Sequence, residues 1–204
     1  KEVFTDPWIC SIQKEACENR RRVIPMPEKQ KILLHTCCAP CATACIERLA
    51  AGREVVLFFS NSNIAPKGEY LKRLEEARRL AGILGLEMRE DSYDHQAWLE
   101  HVRGLENEPE RGKRCSKCFA FSLARTAAQA ELMGVPAFTT TLSVSRHKSS
   151  PEIFSVGSAF ERFEPIDFKK KGGWERSLEL SRHYGLYRQD YCGCEFSRRT
   201  PGGG

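Results

Sequence analysis

Short apolar runs alternate along this chain with longer segments of helical period. Lys31–Thr36 (KILLHT) is the first, a continuous run suited to a buried strand. Glu54–Ser60 (EVVLFFS) is the strongest strand signal, dense in β-branched and aromatic residues. Leu86–Glu90, the Thr-rich Ala137–Val144 and Glu164–Phe168 are further strand candidates. Between them the spacing predicts a helix over Ala42–Ala51, with Pro40 near its first turn and Gly52 after its last. A second helix covers Gly68–Leu84 and stops at Gly85. Helical periods also cover His95–Gly104, Cys115–Met133 (ended by Gly134 and Pro136), Ser150–Phe160 and Trp174–Tyr184, closed by Gly185.

Strands alternating with helices of ten or more residues predict an α/β fold: a single domain with a mainly parallel sheet flanked by helices and a cysteine-bearing C-terminal tail. The expected organisation is an N-terminal extension over 1–30, interrupted by Pro7, Pro25 and Pro27, the α/β domain over 31–200, and a flexible tail over 201–204. In such sheets, binding sites form where loops leave the carboxyl ends of the strands. Cys37–Cys41 occupies one of those strand-to-helix junctions.

Hydrophobic residues at 41% and charged residues at 29% describe an ordered globular chain rather than a disordered one. No apolar run approaches the roughly 20 residues that span a bilayer, so no membrane partner is expected. Lys1–Arg22 is broken by charges throughout and does not read as a secretory leader, which points to a cytoplasmic, reducing setting. The net charge of +5 suits a polyanionic partner such as nucleic acid. Basic clusters fall at Arg20–Arg22, at Arg111–Arg114 with Lys117, and at Lys169–Lys171. Each serves equally as a solvated face.

Ten cysteines in 204 residues fall short of the roughly 8–10% of a disulfide scaffold. A chain this long can bury an ordinary core without staples. In a reducing compartment, clustered cysteines imply metal or redox chemistry instead. Seven of them form three groups: Cys37-Cys38-x-x-Cys41, Cys115-x-x-Cys118 and Cys192-x-Cys194. A C-x-x-C pair lets two thiolates converge on one centre. A structural zinc knot would need four of these ligands, as would a cubane iron–sulfur cluster. Seven therefore suggest two centres, one closed by four ligands and one with three and an open position for substrate. Adjacent Cys37 and Cys38 splay apart at a strand end and can serve one centre each. Cys45, one turn beyond Cys41, reads as a buried helix thiol, and Cys10 and Cys17 as incidental.

Several motifs carry a family resemblance. They are Leu33-Leu34-His35-Thr36-Cys37-Cys38-Ala39-Pro40-Cys41, Gly112-Lys113-Arg114-Cys115-x-x-Cys118-Phe119, and Thr139-Thr140-Thr141-Leu142-x-Val144-Ser145 with His147-Lys148. The most specific is Gly185-Leu186-Tyr187-Arg188-Gln189-Asp190-Tyr191-Cys192-Gly193-Cys194-x-Phe196-Ser197. In this order, over Lys31 to Ser197, they resemble the epoxyqueuosine reductase family QueH. The resemblance implies a Rossmann-like (nucleotide-binding-like) fold, a 4Fe–4S cluster beside a mononuclear iron, and reduction of an epoxide without cobalamin. The implied partners are tRNA carrying epoxyqueuosine at the anticodon wobble position and a ferredoxin- or flavodoxin-like electron donor. The chain departs from the family pattern at Ser62 and Ala65 in the loop after the second strand, and at Arg146, where a proline is usual. These changes leave every thiol in place.

Removing an epoxide oxygen as water takes two electrons and two protons. An open metal can polarise that oxygen, and a neighbouring cluster can relay electrons. The candidate proton donors are His35, His147, Asp190 and Tyr191. His35 reads equally as a packed strand histidine, His147 as a surface residue beside Lys148, and Asp190 as the partner of Arg188. Lys113, Arg114, Lys117, Lys148 and Arg188 are the expected phosphate contacts, with Phe119, Tyr187 and Tyr191 available for base stacking. Two alternatives stand beside the reductase. One is an iron–sulfur tRNA sulfur-transferase of the pyrophosphatase-loop type, disfavoured because the loop after the first strand has no glycine to admit phosphate. The other is a non-catalytic zinc module that binds RNA.

Overall fold

A computed structural model describes residues 29–197. Cys10, Cys17, Arg20–Arg22 and the expected tail over 201–204 lie outside the described residues. The strands are β1 (Lys31–His35), β2 (Glu54–Phe59), β3 (Met88–Glu90) and β4 (Phe138–Thr140). The helices are α1 (Ala39–Ala50), α2 (Lys67–Leu84), α3 (His95–His101), α4 (Lys113–Leu132), α5 (Ser150–Gly157) and α6 (Gly173–His183). The strands pair in the order β3-β2-β1-β4, and every pairing is parallel.

The central strands are apolar throughout because both sheet faces are covered. Ile32, Leu34, Val55 and Leu57 point to one face, where they meet Ile46 and Leu49 of α1 and Leu80 of α2. Leu33, Val56 and Phe58 point to the other, against Leu123 and Ala130 of α4. The chain moves from β1 outward to β2 and β3, then returns to place β4 on the far side of β1. That reversal opens a crevice between the carboxyl ends of β1 and β4, where open α/β sheets bind ligands.

Two strand expectations need correction. The Thr-rich run is a strand only to Thr140, because the Thr140 hydroxyl accepts the Leu142 N–H (3.1 Å) and winds Thr141–Val144 into a 3₁₀ turn. Glu164–Phe168 forms no strand: a single bridge joins Phe138 to Phe163, and Pro165 then offers no N–H to extend it. The other elements fall within a few residues of the sequence reading. α4 starts two residues earlier than expected, which brings Cys115 and Cys118 into its first turns.

Candidate metal centre

The site is built on the β1–β4 crevice. Cys38 has extended backbone and caps α1, its sulfur accepting the Cys41 N–H (3.4 Å) where serine or aspartate usually serves. Pro40 lies in the first turn and loses no helical bond there. Thr141 crosses the crevice, accepting the Cys37 N–H (3.0 Å) and donating its hydroxyl to Cys37 Sγ (3.2 Å). The three sulfurs of Cys37, Cys38 and Cys41 lie within 4.8 Å of one another. Two thiolates on one tetrahedral ion stand about 3.8 Å apart, given metal–sulfur bonds of about 2.3 Å. Cys37 and Cys38 match that at 4.0 Å, while Cys38 and Cys41, at 2.6 Å, would have to part to share an ion.

Two helix N-termini supply most of the thiols, those of α1 and α4, and the partial positive charge at such termini favours thiolate. Hydrogen bonds from Cys38 and Cys41, the Lys148 ammonium and the Thr141 hydroxyl outweigh burial and hold Cys37 well below the usual thiol range. Burial pushes Cys38 up to about 12, while sharing with Cys37 and Cys38 holds Cys41 well above its ordinary value. Burial likewise raises Cys115, Cys118 and Cys194.

Cys192 and Cys194 arrive on the segment after α6, which docks against a polar face of α2. Arg79 donates to the carbonyls of Tyr184 (3.0 Å) and Gly185 (2.7 Å), and Glu76 accepts the Tyr187 N–H (2.8 Å). Arg73, 2% exposed, donates to the carbonyls of Cys192 (3.0 Å) and Tyr191 (3.3 Å), its charge balanced by Glu69 at 2.7 Å. The Ala65 N–H then donates to the Gly193 carbonyl (2.9 Å).

Together these segments enclose two adjoining cavities. The smaller is lined by Cys115, Cys118, Cys192 and Cys194. The larger, of about 910 Å³, is lined by Cys37, Cys41, Cys118 and Cys192. Cys118, Cys192, His147 and Lys148 border both. Lys148 is half-buried with its Nζ 3.4 Å from Cys192 Sγ. Burial disfavours its charge, but the nearby cysteine sulfurs, Cys192 first and then Cys37, outweigh that and raise its pKa.

The donor set fits soft metals, which prefer thiolate, and two buried polar atoms support the fit. The indole N–H of Trp98, fully buried beside the smaller cavity, has no acceptor, and its dipole favours the Cys118 thiolate. Arg114 Nε is also without a partner. Arg114 departs from the expected phosphate contact: it is 2% exposed, and its Nη1 donates to the carbonyls of Leu105 (3.2 Å), Glu106 (2.8 Å) and Glu108. From there its charge favours thiolate at Cys115 and Cys194.

The remaining expected residues divide. His35 is buried and doubly bonded, to Thr140 Oγ1 (2.8 Å) and the Ser60 carbonyl (3.0 Å), and burial lowers its pKa. Tyr191 donates its hydroxyl to the Ala65 carbonyl (2.8 Å) and lies under Arg73. His147 and Asp190 are exposed and border the larger cavity, as does Arg188. Lys113 and Lys117 are exposed on the first turns of α4. Phe119 is core, and Tyr187 bonds Glu69 through its hydroxyl. Cys45 is buried in the α1 core, as expected, with its thiol donating to the Cys41 carbonyl (3.2 Å). Sequence reasoning missed Arg73, Trp98 and Trp174, an aromatic that borders the larger cavity. The Glu69/Arg73 spacing was the one available signal.

A family model described as Epoxyqueuosine reductase QueH matches residues 32–200. The Epoxyqueuosine reductase QueH of Haemophilus influenzae is 39% identical over 187 residues, covering 88% of this chain and 76% of that protein. The QueH of Histophilus somni is 36% identical, covering 92% and 82%. The QueH of Thermotoga maritima is 36% identical, covering 81% and 89%. Among solved structures, the U34-tRNA thiolase NcsA of Methanococcus maripaludis, with its 4Fe–4S cluster, superposes with a TM-score of 0.54 at 10% identity. That match covers 94% of this chain and 69% of the thiolase, and at such low identity it is a likeness of fold.

Proposed function

We propose that this chain, which belongs to the epoxyqueuosine reductase QueH family, converts epoxyqueuosine in tRNA to queuosine. The observation that carries the reading is the placement of six thiols around two adjoining cavities that share Cys118 and Cys192, with Cys38 completing the group of Cys37 and Cys41. Cys115, Cys118, Cys192 and Cys194 would hold a 4Fe–4S cluster, and Cys37, Cys38 and Cys41 a mononuclear iron with one position open. When bound, the cluster supplies electrons singly and the open iron acts as a Lewis acid toward the epoxide oxygen.

The protein's own part is to bind, orient and protonate. Two electrons from a ferredoxin- or flavodoxin-like donor and two protons enter, both carbon–oxygen bonds break, and the oxygen leaves as water. His147, exposed and bordering both cavities, is the best-placed proton donor, with Asp190 on the larger one. Lys148 holds a positive charge between the thiol groups. Lys113, Lys117 and Arg188 are accessible to phosphates of the anticodon loop. No helix among the described residues is long and apolar enough to cross a membrane, and a cytoplasmic site of action accords with a tRNA substrate.

A sulfur-transferase that activates its substrate with ATP is less well supported. The backbone N–H groups of Cys37 and Cys41 are already engaged by Thr141 and Cys38, so the junction offers no phosphate cradle of the usual kind. The deciding experiment uses tRNA from cells lacking epoxyqueuosine reductase, incubated anaerobically with the metal-loaded protein and a reductant. Mass spectrometry of the nucleosides should show epoxyqueuosine replaced by queuosine. Unchanged epoxyqueuosine with an intact cluster, or zinc as the sole bound metal, would overturn the reading.

A further inference from the structure

Of the aromatic side chains on the larger cavity, most are structurally committed. Phe119 is buried in a core cluster, and Tyr191 is tied to Ala65 and covered by Arg73. Trp174 differs. It is half-buried at the start of α6, at the edge of the cavity that Cys37, Cys41 and Cys192 also line. Its position is set by the backbone: a Cβ at Gly173 would meet the Phe168 carbonyl oxygen at 1.8 Å, so only glycine permits that approach. The Ser177 hydroxyl donates to the Trp174 carbonyl (2.7 Å) and fixes the same turn.

Two guanidiniums overlie the indole, those of Arg146 and Arg188, each 5.8 Å from the ring centroid. The His147 ring stands edge-on to it at 6.1 Å. Both arginines are exposed and held by few contacts: Arg146 by the exposed Glu175, and Arg188 by a long hydrogen bond, 3.3 Å, to the buried Ser181 Oγ. Exposed cation–π contacts and surface ion pairs contribute little, so either guanidinium can be drawn away at small cost. A phosphodiester is the partner that would draw them, because arginine binds phosphate through two parallel N–H donors. As they turn to phosphate they uncover the indole face.

We infer that Trp174 is a stacking platform for an unpaired base of the tRNA anticodon loop, with Arg146 and Arg188 exchanging the indole for the flanking phosphates. An aromatic face with adjacent arginines is the arrangement that grips splayed, single-stranded RNA. It lines the same cavity as Cys37, Cys41 and Cys192, so a base held there keeps its neighbour within that cavity's reach. This inference rests on the proposed function and adds the residues that bind the loop outside the reacting nucleotide.

The test is binding of an unmodified anticodon stem–loop RNA to the metal-loaded protein, measured over a salt series. Stacking on an aromatic is lost on alanine substitution, so Trp174→Ala should bind roughly 5- to 150-fold more weakly, while Trp174→Phe stays near wild type. Arg146→Ala and Arg188→Ala should each lower the salt slope by about one phosphate contact. Wild-type tryptophan fluorescence should be quenched by the RNA and that quenching lost in Trp174→Phe, which reports contact without relying on the alanine variant's fold. RNA binding within twofold of wild type in Trp174→Ala, with quenching unchanged in Trp174→Phe, would overturn the platform while leaving the reductase reading intact. Absence of wild-type binding to the hairpin, together with no reaction on epoxyqueuosine tRNA, would overturn both.

Discussion

Replacing Arg73 with methionine should release the cysteine-bearing segment without touching a thiol. Arg73 is 2% exposed and holds that segment by donating to the carbonyls of Cys192 and Tyr191. Hydrogen bonds from a charged donor contribute about 1.5–3 kcal/mol each, and the 3.3 Å bond to Tyr191 belongs at the weak end. The pair therefore contributes about 3 kcal/mol to docking, roughly a 150-fold change in the opening equilibrium. The substitution also strands Glu69, whose side chain is only 12% exposed and would keep Tyr187 as its polar partner. Combining Arg73→Met with Glu69→Gln removes that buried charge and isolates the loss of the carbonyl contacts. The assay is amide hydrogen exchange of the metal-free protein, read at Ala65, whose N–H donates to the Gly193 carbonyl of the docked segment. Protection there should fall about 100-fold in the double variant while α4 and the β-sheet exchange as before, and Arg73→Lys, lacking the fork, should fall between. Exchange within threefold of wild type would refute the claim that this guanidinium docks the thiols.

Three further substitutions test separate parts of the site. Gly193 has φ of +130°, and a Cβ there would lie 3.0 Å from Ile64 Cγ1 and 3.1 Å from Arg73 Nη1. Gly193→Ala should cost about 1–3 kcal/mol in chemical denaturation and lower iron retention. Thr141→Val leaves the Cys37 N–H unpaired and removes a donor to its sulfur, for a loss of about 1–3 kcal/mol in stability. Trp98→Phe keeps the core filled but removes the unpartnered indole N–H beside Cys118. Donors to cluster sulfur stabilise the reduced, more negative state, so the midpoint potential of the loaded protein should fall, and an unchanged potential would exclude the contact.

The layout was readable wherever one physical demand dominated. KILLH and EVVLFF had to be buried on both faces, and their continuous apolar runs announced it. The three cysteine groups were equally plain, because metal-ligating thiols cluster in sequence when they sit on turns and helix starts. What stayed hidden depends on distant partners. Glu69, Arg73, Glu76 and Arg79 lie along α2 like an ordinary solvated helix face, yet they bind the segment over 184–192 more than 100 residues away. Arg114 sits in a basic cluster that suggests phosphate, but the chain folds the 105–108 turn over it and makes it a counter-charge to thiols. Trp174 carries no motif at all; only the crossing of α6 past the β1–β4 crevice brings it to the cavity.

The central claim is that the seven thiols serve two centres, divided four and three. Iron and acid-labile sulfide should therefore be counted per chain after anaerobic loading, for the wild type and for a Cys37→Ser/Cys38→Ser/Cys41→Ser variant. The wild type should carry about five iron and four sulfide, and the variant should lose about one iron and no sulfide. Loss of all sulfide from that variant, with the fold intact, would contradict it.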